Sequence, residues 1–153
     1  MSIRSATIDD APRIAELVRS LSHHYLDNPQ GKLPDWFCQT LSLQAFRQRA
    51  ASGDYAAFVF ARDGVIAGYL AMRGDSHLYH LFVHADQQRR GIARQLWQHA
   101  LVRSQAECIT LRSSLCAVAV YRRFGFSSTG PRGNRDGISF QPMELCRCLA
   151  PTP

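Results

Sequence analysis

"QQRRGIARQLW", residues Gln87 to Trp97, decides the reading of this chain. Arg89, Arg90 and Arg94 crowd around Gly91, and apolar residues at helical spacing begin directly after it. On its own such a cluster is a solvated charge run at a helix start. Here an apolar stretch, "HLYHLFV", comes before it, and Ile92, Leu96, Ala100 and Leu101 after it fall on one side of a helix predicted from about Gly91 to Arg103. The order is strand, bare turn, helix. A helix N-terminus carries unpaired N–H groups and the positive end of a dipole, so it is an anion site. Gly91 and Ala93 are small enough to let a ligand reach that backbone.

The rest of the chain fits around this unit. Its 153 residues suit a single domain, 1–153, with apolar content sufficient for a core. No run of about eighteen apolar residues occurs and the start, "MSIRSATIDD", has no apolar centre, so a soluble, unsecreted, cytoplasmic protein without membrane partner is expected. The five cysteines, Cys38, Cys108, Cys116, Cys146 and Cys148, are scattered and lack zinc-site spacings, which suits reduced thiols and no metal. Cys146 and Cys148, two apart in an apparent strand, are expected to pack as small apolar residues. The net charge of +6 points to an anionic partner. Nucleic acid is disfavoured, because aromatic residues are not interleaved with the arginines.

"SIRSAT" reads as a strand, and Thr7 with Asp10 as a helix start leading into Ile14, Leu17, Val18 and Leu21. Asn28, Pro29, Gly31 and Pro34 mark a loop before a second helix capped by Asp35 and carrying Trp36, Phe37, Leu41 and Phe46. "YAAFVFARDGVIAGYLAMRGDSHLYHLFV" gives three antiparallel strands joined by tight turns. After the central helix come a strand at "CITLRS", a short helix at "AVAVYRRF" ended by Gly125, and strands at "FSSTG" and "ISFQPMELC". The fold class is α/β (α+β): a single mixed, mostly antiparallel sheet of about six to seven strands flanked by about four helices.

With these elements in order, the chain resembles the GNAT superfamily of acetyl-CoA-dependent N-acetyltransferases. Gln88, Gly91 and Ala93 match its Gln/Arg-x-x-Gly-x-Gly/Ala pattern; "SSLCAVAVYRRFGF" resembles the segment ending in a tyrosine and Gly-Phe; "ISFQPMEL" resembles its closing strand. The resemblance implies acetyl-CoA as cosubstrate, its pantetheine arm bound by the backbone of Leu81, Phe82 and Val83 as an added strand. Its pyrophosphate would rest on Gln88, Arg89, Arg90, Gly91, Ile92, Ala93 and Arg94. Ser114 stands in for a polar contact near where many relatives have asparagine and this chain has Arg112. Tyr121 is implied as the acid that protonates the coenzyme thiolate, a task suited to a phenol with pKa near 10. His77 occupies a position where some relatives keep a base. Strand alternation sets His77 and Tyr79 on one face and His80 on the other.

The implied reaction moves an acetyl group to a primary amine of a small molecule, peptide or protein, and allows a homodimer. The alternative on the same fold is a sensor that binds acyl-CoA without catalysis. An acceptor entrance is implied beside the first two helices and the last hairpin, near Tyr25, Trp36, Phe37 and "GPRGNRDG", with Trp36 and Phe37 expected to anchor their helix in the core rather than to line a pocket.

Overall fold

The computed structural model describes residues 2–28 and 30–148; Pro29, within the expected loop, and both chain ends of the span 1–153 lie outside the described residues. The strands are β1 (Ser2–Ser5), β2 (Tyr55–Arg62), β3 (Val65–Arg73), β4 (His77–Val83), β5 (Cys108–Ser114), β6 (Ser127–Ser128), β7 (Gly133–Arg135) and β8 (Ile138–Cys146). The α-helices are α1 (Ala11–Leu21), α2 (Asp35–Thr40), α3 (Leu43–Ala51), α4 (Ile92–Arg103) and α5 (Val118–Arg123). All eight strands form one sheet in the order β1-β2-β3-β4-β5-β8-β6, with β7 also on β8. Every pairing is antiparallel except β4 with β5.

The sheet is covered on both faces. Phe58, Leu70, Leu78, Ile109 and Met143 pack with Leu96 and Trp97 of α4 on one side. Val59, Tyr69, Ala71 and Phe82 pack with Ile14, Val18 and Leu21 of α1 and Phe46 of α3 on the other. Strand β3 therefore lies between two helical layers, and every residue from Ile66 to Met72 is buried. That is why it reads as a continuous apolar run rather than an alternating one. At Gly68 a Cβ would meet Ile92 Cγ2 and Leu96 Cδ1 at 2.9 Å each, so the missing side chain is what lets α4 rest on β3. Gly68→Val is expected to destabilise the fold by about 1–3 kcal/mol through overpacking, read as a lower urea midpoint with an unchanged m-value.

The entry to α1 follows the expected signal. Asp10 accepts from Thr7 N–H at 2.8 Å and from Arg4 Nη1 and Nη2 at 2.7 and 2.9 Å. These bonds, the Arg4 pair foremost, hold the nearly buried carboxyl down at about 2 against its ordinary 3.8. A depressed carboxyl contributes stability above its unfolded pKa and loses it as pH falls through the folded one. Stability should thus decline between about pH 4 and 2, and Asp10→Asn should flatten that decline in urea midpoints measured across this window.

Three details depart from the sequence expectation. The second helix is two helices: the chain breaks at Leu41 and restarts where Ser42 Oγ accepts from Ala45 N–H at 3.1 Å. Asp35 is the first residue of α2, with Pro34 at the cap position. The third is the three-residue β7, which forms only as the return arm of a hairpin on β8 and adds to the strand count. It is too short to carry a pattern of its own.

The cysteines require a larger correction. Cys108 and Cys146 are joined by a disulfide between β5 and β8, while Cys38, Cys116 and Cys148 are free. Cys146 does not simply pack beside Cys148 as its spacing suggests. Its partner is 38 residues away and becomes a direct cross-strand neighbour only when Cys108 aligns with Cys146 in the β5–β8 register.

Candidate active site

The site is built where the sheet opens. Strands β4 and β5 are parallel and pair only at His77↔Thr110 and Leu78↔Leu111. From there β5 follows β8 in continuous register to Ser114↔Phe140, while β4 follows β3 to Gly68↔Val83. The two halves diverge, so the β5-facing edge of β4 beyond Leu78 has no strand partner and is open to a ligand that can pair like a strand. Between them runs a cleft of about 620 Å³, within the range of small-molecule sites.

One end of the cleft is the turn before α4. Gln88 Nε2 donates to Val83 C=O at 3.1 Å, tying the loop back to the strand. Arg89 and Gly91 both take positive φ, 64° and 81°. Gly91 caps α4, and the first helical bond is Gln95 N–H to Gly91 C=O, so the N–H groups of Ile92, Ala93 and Arg94 precede any helical acceptor. A non-glycine residue in this left-handed conformation stores strain of about 1–3 kcal/mol. The guanidinium of Arg94 sits 5.5 Å from the centre of the Phe124 ring. Here charge, strain and unpaired donors coincide.

Leu81, Phe82, Val83, Gln88, Arg89, Gly91, Ile92, Ala93, Arg94, Ser114 and Tyr121 all line this one cleft. Arg90 is exposed and is not among the lining residues. Ser114 ends β5 with its Oγ 3.4 Å from Cys116 Sγ. Arg112 also lines the cleft, its guanidinium 5.1 Å from the Phe140 ring centre. Tyr121, on α5, packs against Phe124 and Phe126, and burial pushes its phenol pKa up, so it is fully protonated at neutral pH.

Two histidines differ from the expectation. His77 stands at the closed end of the β4–β5 pair, outside the lining residues, with Nδ1 2.8 Å from Thr110 Oγ1. Burial, then the charges of Arg73 and Arg112, pull its pKa down to about 4. His80 does line the cleft. The β3–β4 register shifts at Ala71/Met72, leaving Tyr79 without an opposite residue, and this bulge breaks the alternation. Tyr79 and His80 consequently lie on the same side, their ring centroids 4.2 Å apart, with the Phe46 ring 6.1 Å from His80 and Arg49 placed over both Phe46 and Tyr79. Period-two spacing carries no trace of the bulge. The sequence reading also passed over Leu21, Cys116, Val120 and Arg123, cleft residues brought in from α1, α5 and the turn before α5. Trp36 is neither core nor cleft wall: its Nε1 donates to Asp136 at 2.8 Å and Arg135 stacks 3.9 Å from its ring, fastening α2 to the β7–β8 hairpin.

An opened parallel strand pair with a bared helix N-terminus at its mouth is the frame of an acyl-coenzyme A-dependent acyltransferase. The chain belongs to the GNAT acetyltransferase family: the acetyltransferase (GNAT) domain matches residues 25–147. Acetyl-CoA is the acyl donor of such domains. Among solved structures, the PaiA N-acetyltransferase of Thermoplasma acidophilum in complex with coenzyme A is similar at TM-score 0.75 and 17% identity, covering 96% of this chain and 100% of that one. The ribosomal-protein-S18-alanine N-acetyltransferase of Escherichia coli is similar at TM-score 0.70 and 20% identity, covering 98% and 96%. A GCN5-related N-acetyltransferase of Rhodopseudomonas palustris is similar at TM-score 0.73 and 18% identity, covering 95% of each chain. No curated protein matches the sequence. Among the described residues no helix is long and apolar enough to cross a membrane.

Proposed function

We propose that this protein transfers the acetyl group of acetyl-CoA to a primary amine by direct attack, with Tyr121 as the general acid. The observation that carries the proposal is the convergence of the bared β4 edge, the α4 N-terminus and Tyr121 on one cleft. The backbone of Leu81, Phe82 and Val83 would hold the pantetheine arm, and the turn from Gln88 to Arg94 its pyrophosphate. Acetyl-CoA supplies the acyl group and the thiol leaving group. As the amine nitrogen bonds to the carbonyl carbon, the C–S bond breaks, and Tyr121 gives its phenolic proton to the departing sulfur. The nitrogen sheds one proton to solvent, and Tyr121 is reprotonated from solvent, which balances the exchange. Burial raises the pKa of the phenol and so keeps it in the protonated form that a donor must have. His77 lacks a comparable case, being bonded to Thr110 away from the cleft.

The test is a thermal-shift titration with acetyl-CoA, followed by free-thiol release over a panel of primary amines. Stabilisation by acetyl-CoA and amine-dependent thiol release are expected. Stabilisation with no amine-dependent release would favour a binding-only sensor, and no stabilisation would end both readings.

A further inference from the structure

The acceptor end of the cleft has a distinctive composition. From the α1 side it is lined by Leu21 and Tyr25, and from β4 by Tyr79, His80 and Phe82. The rings adjoin: Tyr25 lies 5.9 Å from Phe82, Phe82 5.4 Å from His80, and His80 4.2 Å from Tyr79, centroid to centroid. Behind this wall Arg49 stacks over Phe46 at 4.6 Å and Tyr79 at 5.4 Å. Its Nε and the Nδ1 of His80 are the buried side-chain polar atoms without a hydrogen-bond partner among the described residues. The charged side chains lining the cleft are arginines, Arg89, Arg94, Arg112 and Arg123, and no Asp or Glu is among the described lining residues.

These features select for one kind of amine. Arg89 and Arg94 lie at the end proposed for the cofactor phosphates, which would balance them, so at the acceptor end it is burial among the rings that disfavours an ammonium ion and lowers its pKa, and a single amino group loses its proton more readily on entering. A second or third positive charge on the same molecule meets no carboxylate here to balance it. Ring faces can attract cations, but of the lining rings Tyr79 already carries Arg49 over it. The wall instead offers apolar area and edge-to-face contacts to another ring. Burial, and then Arg49, hold the His80 imidazole neutral, its pKa pulled down to about 3, so it adds no compensating charge of either sign.

We propose that the acceptor is a monoamine borne on an aromatic or apolar body, selected by the wall of Tyr25, His80 and Phe82 in a cleft with no carboxylate among its described lining residues. This rests on the acetyl transfer proposed above. The test measures thiol release by the full chain with acetyl-CoA and either 2-phenylethylamine or spermidine. A kcat/KM at least about tenfold higher for 2-phenylethylamine is expected, equivalent to about 1.4 kcal/mol. Tyr25→Leu should raise KM for that amine severalfold with KM for acetyl-CoA little changed, and Tyr25→Phe should recover most of the loss. Equal or better use of spermidine, no turnover of 2-phenylethylamine by protein that acetyl-CoA stabilises, or an unmoved amine KM in Tyr25→Leu would each overturn the inference. Failure of acetyl-CoA to stabilise the protein is a separate result: it removes the acetyl-transfer reading itself, and this inference with it.

Discussion

Tyr121→Phe is expected to lower kcat for amine acetylation by about 10²–10⁴-fold, the range spanned by loss of a general acid. Acetyl-CoA should bind the variant as it binds the parent. The substitution removes one oxygen and keeps the ring, which packs against Phe124 and Phe126, so the fold has no reason to change. What is lost is a proton donor whose pKa burial has raised. Without it the thiolate must leave unprotonated or take its proton from water. Steady-state thiol release gives kcat, and a thermal-shift titration gives binding. A fall in kcat with unchanged binding isolates the acid; unchanged turnover removes Tyr121 from the mechanism while leaving the family assignment intact.

Gly91→Val should act on the other half of the site and weaken acetyl-CoA binding by about tenfold or more. A Cβ at Gly91 would have room, its nearest neighbour being Gln95 Nε2 at 3.8 Å. The obstacle is the backbone. Gly91 holds φ at 81°, where a β-branched residue is strained by about 1–3 kcal/mol. Relief comes from rotating the turn, which takes the N–H groups at the start of α4 away from the phosphates they would bind. Leu96 and Ile92 remain packed on Gly68, so α4 itself should persist. Isothermal titration with acetyl-CoA, alongside circular dichroism at unchanged helix content, separates the two effects. Gly91→Ala should fall between parent and valine variant, since alanine tolerates the left-handed region better than a β-branched residue. An unaltered Kd in Gly91→Val would mean that the phosphates do not depend on this turn.

Much of the architecture was legible because it rests on local rules. The alternating and apolar runs from Tyr55 to Val83 give β2, β3 and β4 with their turns at Asp63-Gly64 and Gly74-Asp75. Thr7 and Asp10 mark the start of the first helical segment through a bond three residues long. The turn before α4 was legible for the same reason: its glycine, its arginines and the following helix are contiguous. Where the reading failed at the short β7 and the outward Trp36, the cause was a relation between distant segments, each depending on what an opposing element offers; the break at Leu41 instead turns on the local Ser42 cap, which the reading passed over.

The chain's order of residues thus determined the elements, the glycine turn that opens α4 and the tyrosine expected to donate a proton, since propensity, capping and a bare helix start act over a few residues. Only the tertiary structure decided where the sheet opens, because that requires β5 to commit to β8 after two pairs with β4. It also decided that Cys108 bonds Cys146, and that a bulge at Tyr79 turns His80 toward the cleft while His77 is left beside Thr110. Register between strands is a long-range choice, and a one-residue irregularity in it exchanges the face of every side chain beyond.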